Sequence, residues 1–88
     1  MNSNEQHTFY IVDDHDMLQI GLKNFLESKS DSKVIGTAKT IDSTKALLDS
    51  KLPDLIIIDV ELANENGFDL AAYIKTTFPD LKIVMYSM

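Results

Sequence analysis

No cysteine and no arginine occur among the 88 residues, and glycine and proline together number only five. Without cysteine there is neither a disulfide framework nor a thiolate metal site, which points to an intracellular protein. Without arginine, and with fourteen acidic residues against eight lysines for a net charge of −6, the chain lacks the phosphate-pairing surface on which nucleic-acid binding depends. Direct DNA binding by these residues is not expected. Long apolar runs are absent too. Runs such as Leu55–Ile58 and Ile83–Tyr86 are far too short to cross a bilayer. Met1–Gln6 does not show the basic and then apolar pattern of a signal peptide, so the expected location is the cytoplasm. What remains is 44% hydrophobic and 25% charged, ordinary for a folded domain, with length for one small domain and a modest core.

Two hydrophobic periods alternate along the chain. Thr8–Val12 reads as a buried strand that stops at Asp13-Asp14. Asp16 is placed to cap a helix, with Leu18, Leu22, Phe25 and Leu26 on its inner stripe and Gln19, Lys23 and Glu27 facing away. Lys33–Ala38 is a second strand, weakened by Gly36. Thr40–Ser50 is a short helix with Ile41, Thr44, Leu47 and Leu48 inside, and Lys39, Lys45 and Lys51 read as exposed helix charges. Leu55–Ile58 is apolar at every position, as suits a central parallel strand covered on both faces, and it too ends on an aspartate, Asp59. A polar loop, Val60–Asn66, closes with the turn-favouring Asn66-Gly67. A third helix containing Phe68, Ala71, Ala72 and Ile74 follows, stopped by Phe78-Pro79-Asp80. Leu81–Tyr86 is a fourth strand. The order βαβαβαβ with short connections predicts an α/β domain built on a parallel sheet with helices on both faces.

In such sheets ligands bind beyond the carboxyl ends of the strands, where strand order reverses. Asp13 and Asp14 follow the first strand and Asp59 the third, so three carboxylates converge if those strands are neighbours. Like charges that close repel one another unless a cation neutralises them. Mg²⁺ fits: a hard ion satisfied by one or two carboxylates, a carbonyl, waters and a phosphate oxygen. A carboxylate beside it can attack phosphorus and form an aspartyl-phosphate. Ser87, at the end of the fourth strand, has a hydroxyl able to bond a phosphoryl oxygen. Strand-end aspartates are also common simply because strands end at solvent. His7 and His15 read as surface residues, and Glu61 as a solvated loop acid.

The combination resembles the receiver domain of two-component response regulators. The matching residues are Ile11-Val12-Asp13-Asp14-His15, Leu55-Ile56-Ile57-Ile58-Asp59, then Val60, Leu62, Asn66 and Gly67, and Ser87 at the switch serine or threonine position. Asp13-Asp14-His15, Gly21-Leu22 and Val34-Ile35-Gly36 resemble the subfamily whose receivers precede a LuxR-type helix-turn-helix. The resemblance implies a flavodoxin-like doubly wound sheet of strand order 2-1-3-4. It also implies phosphorylation of Asp59 by a sensor histidine kinase, with Ser87 bonding the phosphoryl group. Mg²⁺ would be held by Asp14 directly, Asp13 through water, Asp59 and the backbone carbonyl of Glu61. The parent protein would regulate transcription through a C-terminal DNA-binding domain, and the receiver would be a signalling module rather than an enzyme.

Three departures accompany the match. Ala63 stands where the family usually has proline, and Met88 where it has a small residue beside the phosphoryl site. Residues 1–88 correspond to the N-terminal portion of a receiver, without the last strand, its lysine and the last two helices. The fourth strand then becomes an apolar edge, and self-association through it is expected. Two other readings compete. A haloacid-dehalogenase-like phosphatase would use the Asp-x-Asp of Asp14-His15-Asp16, and a receiver-like interaction module would work without phosphorylation or metal affinity. A P-loop nucleotidase is a weaker reading still: Ile58-Asp59 could mimic its metal-binding strand end, but these residues contain no Gly-rich Lys-Ser/Thr loop.

Overall fold

In the computed structural model, residues 6–87 are described; Met88, which stands where the family has a small residue beside the phosphoryl site, lies outside them. The elements are β1 (His7–Val12), α1 (Asp16–Glu27), β2 (Ser32–Ala38), α2 (Ile41–Ser50), β3 (Leu55–Asp59), β4 (Glu61–Leu62), β5 (Glu65–Asn66), α3 (Gly67–Thr77) and β6 (Lys82–Tyr86). The four long strands form one parallel sheet in the order β2-β1-β3-β6. This is the expected order, with β6 as the fourth long strand.

Alternation along the strands sorts side chains onto two faces. Tyr10, Val12, Ile56 and Ile58 join Leu48 of α2 and Leu70 and Ile74 of α3 in one buried core. No residue of α1 belongs to that core. Helix α1 packs on β1 and β2 from the other side, where Ile11 is buried. The all-apolar Leu55–Ile58 run follows from this arrangement, since β3 lies inside the sheet and has both faces to fill.

Gly36 has a packing reason. A Cβ there would come 2.8 Å from the Tyr10 ring. The ring crosses this gap, and its hydroxyl donates to the carbonyls of Leu47 (3.0 Å) and Lys51 at the end of α2. Burial holds the Tyr10 phenol above its ordinary pKa. At its other end α2 carries the reciprocal Thr40–Ser43 capping box.

Several local expectations are corrected. His15, not Asp16, is the N-cap of α1; Asp16 is its first residue and pairs with Lys39 at 2.7 Å. Phe25 is 62% exposed, under the Lys29 ammonium, so the inner stripe of α1 reduces to the half-buried Leu18, Leu22 and Leu26. Gln19 points inward rather than away. Lys39 lies in the link between β2 and α2, not on a helix. The polar loop contains a short antiparallel ribbon, β4 with β5, anchored by buried Leu62. Gly67 begins α3 behind the N-cap Asn66. Among the described residues no helix is long and apolar enough to cross a membrane.

Candidate functional site

The register of β1 with β3 pairs Val12 with Ile58, so the next residues, Asp13 and Asp59, emerge side by side at the carboxyl edge where strand order reverses. Asp13 is fully buried and Asp59 is 1% exposed, with Asp14 partly buried beside them. One ligand atom from each of these carboxylates, together with one from His15, lies within 4.8 Å of all the others. The three acids expected to converge do so.

Two of the carboxylates are held by directed donors. Asp13 Oδ1 accepts from the His15 backbone N–H at 2.7 Å, with His15 Nδ1 at 2.8 Å. Asp13 Oδ2 accepts from the Tyr86 hydroxyl. Asp59 Oδ1 accepts from the Glu61 backbone N–H at 3.0 Å. Asp14 Oδ1 and Asp59 Oδ2 are buried with no hydrogen-bond partner, although His15 Nδ1 lies 3.2 and 3.6 Å away. Its hydrogen bond to Asp13, and then the charge of Asp14, raise the pKa of the exposed His15 imidazole. Burial, and then the bond to Asp13, hold the Tyr86 phenol far above its usual range. Two unpaired oxygens in a pocket of carboxylates are a donor set suited to a small hard cation.

A family model for the response regulator receiver domain matches residues 9–88. The chain belongs to that family. Response regulator protein VraR of Staphylococcus aureus strain Mu3 is 32% identical over 74 residues, covering 84% of this chain and 35% of the relative. The chain thus spans about a third of the length of the curated relatives it matches. The non-phosphorylated receiver domain of RcsB from Escherichia coli superposes with a TM-score of 0.86 at 25% identity, over 96% of this chain and 66% of that one. The receiver domain of NarL from Mycobacterium tuberculosis shares the fold, with a TM-score of 0.85 at 22% identity over 94% and 67% of the two chains. These relatives agree with the expected flavodoxin-like architecture and with the LuxR-type subfamily.

Within this receiver the remaining candidates fall in different places. Ser87 is exposed just beyond β6 and has no hydrogen bond to Asp59 among the described residues. Ala63 is exposed in the β4–β5 link. Glu61 is exposed, and its N–H holds Asp59. Asp16, the second acid of the competing Asp-x-Asp reading, stands outside the cluster on Lys39. That geometry removes the support for a dehalogenase-like site. His7 lies near Asp31, at 3.9 Å, away from the acids.

Three neighbours were not legible in advance as site residues. His15 is exposed, as expected, yet its Nδ1 sits among the carboxylates. Tyr86 pairs across the sheet with Asp59, and its polar tip at an acidic strand end was the one available signal. The Gln19 amide donates to the carbonyls of Asp13 (2.9 Å) and Ala38 (3.0 Å), tying the first turn of α1 to the ends of β1 and β2.

Proposed function

We propose that Asp59 accepts a phosphoryl group from the phosphohistidine of a sensor histidine kinase, in a Mg²⁺-dependent reaction. The observation that carries this reading is the state of the Asp59 carboxylate. One oxygen is fixed by the Glu61 N–H, while the other is buried without a partner in the acidic pocket. The fixed oxygen orients the group, and the free one keeps its lone pairs for an incoming electrophile. In the transfer an Asp59 oxygen bonds to phosphorus, the phosphorus–nitrogen bond breaks, and the imidazole nitrogen keeps the electron pair. Asp13, Asp14, Asp59 and the Glu61 backbone carbonyl would hold Mg²⁺, which when bound offsets negative charge on the phosphoryl oxygens. Ser87 supplies a hydroxyl for a phosphoryl oxygen.

Incubating the chain with acetyl phosphate and Mg²⁺ and reading the intact mass tests this proposal. The expected result is one phosphoryl group per chain, and none when EDTA removes the metal. Uptake indifferent to EDTA would count against the metal assignment, and uptake at a residue other than Asp59 against the whole reading.

In the parent protein the receiver serves transcriptional control in the cytoplasm through a separate DNA-binding domain. A relative supports this: RcsB of Salmonella enterica serovar Typhimurium, 25% identical with a TM-score of 0.86 over 96% of this chain and 49% of that one, is bound to promoter rprA in the presence of phosphomimetic BeF₃⁻. The receiver itself then catalyses at most its own phosphorylation and dephosphorylation.

We infer that a second copy of this chain is a further partner. Among the described residues strand β6 is at the edge of the sheet, with Val84 45% exposed and Ile83 and Met85 half-buried. An unpaired apolar edge of this kind recruits another strand. Light scattering is expected to give a mass that rises with concentration; a monomer mass held into the millimolar range would refute pairing through β6.

A further inference from the structure

Lysine supplies all the permanent positive charge of this chain, since no arginine occurs. Among the described residues only one lysine stands at the carboxyl edge of the sheet. It is Lys39, directly after β2. The Ala38 carbonyl before it accepts from the Asp13 N–H at 3.0 Å and from Gln19 Nε2 at 3.0 Å, so Lys39 leaves the backbone beside the acidic strand ends. The other seven lysines lie elsewhere. Lys33 and Lys82, for example, open β2 and β6 at the opposite edge, and Lys45 covers the Tyr73 ring.

The Lys39 ammonium is 2.7 Å from Asp16 Oδ1, and both side chains are more than half exposed. An ion pair that open to water is weak and exchangeable. The lysine stem is flexible and its head is a rotatable point charge. Asp14 of the acidic pocket also acts on its charge, after Asp16, and the backbone places Lys39 next to Ala38, whose carbonyl bonds the Asp13 N–H. A phosphorylated donor adds negative charge to a pocket already lined by Asp13, Asp14 and Asp59. A single divalent ion offsets only part of that total, and a mobile cation at the rim lowers the remaining repulsion.

We propose that Lys39 is a donor-binding residue of this site: its ammonium exchanges Asp16 for the phosphate oxygens of the incoming phosphodonor, and Asp16 is its resting-state competitor. This rests on the reading of Asp59 as the phosphoacceptor. With acetyl phosphate, an Asp59 oxygen bonds to phosphorus, the phosphorus–oxygen bond to acetate breaks, and acetate leaves with the electron pair. Lys39 stays an ammonium throughout and transfers no proton.

The two partners of the ion pair give opposite expectations, which separates donor binding from a structural bridge. Initial rates of phosphorylation by acetyl phosphate are measured with Mg²⁺ at low and high salt, with circular dichroism confirming that each variant is folded. Lys39→Gln is expected to raise KM for acetyl phosphate about five- to tenfold, with the saturated rate little changed and the salt dependence flattened. Lys39→Arg is expected to restore KM. Asp16→Asn is expected to lower KM about twofold by releasing the lysine. An unchanged KM in Lys39→Gln, or a rise in KM in both Lys39→Gln and Asp16→Asn, overturns the proposal. If the unmodified chain takes no phosphoryl group, or takes one that survives Asp59→Ala, the phosphoacceptor reading itself has failed and Lys39 falls with it.

Discussion

Asp59→Asn is expected to abolish phosphoryl uptake and, in EDTA, to make the fold more stable by about 1–2 kcal/mol. Both effects come from the same geometry. Asp59 is 1% exposed and shares a pocket with Asp13 and Asp14, all three contributing atoms to one cluster within 4.8 Å. Removing one of three like charges there relieves repulsion in the folded state alone. Asparagine is isosteric, and its carbonyl oxygen can still accept the Glu61 N–H that Asp59 now accepts at 3.0 Å. No cavity opens, and the Glu61 N–H keeps an acceptor. Yet the amide is a poor nucleophile toward phosphorus, so the chemistry is lost.

With Mg²⁺ present the order reverses. A ligand that binds only the native state stabilises it by about 2.7 kcal/mol at one hundred times its dissociation constant, and the variant lacks one carboxylate of the donor set. Urea unfolding of both proteins, with EDTA and with saturating Mg²⁺, reads the crossover. An asparagine variant less stable than the parent in EDTA would show that the fold itself already compensates the Asp59 charge.

Gly67→Ala is expected to cost about 3 kcal/mol or more and to lower phosphoryl uptake at least tenfold. Gly67 does not have a positive φ, so the requirement is space rather than backbone freedom. A Cβ at this position would lie 2.1 Å from the Asp59 carbonyl oxygen and 3.0 Å from both the Asp59 carbonyl carbon and Val60 Cα. These are backbone atoms and cannot rotate away. Gly67 N–H also donates to the Val60 carbonyl at 2.7 Å, so the first turn of α3 and the end of β3 must move together. That movement displaces Asp59 from the Glu61 N–H that orients it.

Gly21→Ala in α1 is the natural control. Nothing lies within 4 Å of its added Cβ, and alanine in a helix gains about 1 kcal/mol over glycine. The two substitutions are thus expected to move the denaturation midpoint in opposite directions. Equal midpoints for Gly67→Ala and the parent would show that β3 and α3 can separate without harm.

The four strands and three helices were legible because burial leaves a periodic mark. Val12, Ile56 and Ile58 had to be apolar to fill the sheet, and Asp13, Asp14 and Asp59 mark where the strands leave it. The ribbon Glu61–Leu62 with Glu65–Asn66 escaped notice because two-residue strands have no period to detect. Phe25 misled for the opposite reason: it fits the helical stripe of α1, but the half-buried apolar residues of that stripe are Leu18, Leu22 and Leu26, and Phe25 lies beyond them. Helical spacing shows which residues share a face, not how far the neighbouring surface extends.

The sequence alone determined the alternation of strands and helices and the acids at the ends of the first and third long strands, since both follow from hydrophobic period; the order 2-1-3-4 that makes those strands neighbours was implied only by the family resemblance. Only the tertiary structure decided how those carboxylates are held. Tyr86 reaches Asp13 from 73 residues away, and Gln19 turns inward because two strand-end carbonyls converge beneath it. Asp16 faces Lys39 instead of capping its own helix. Each of these depends on distances between different elements of the fold, which the hydrophobic period of any one element does not encode.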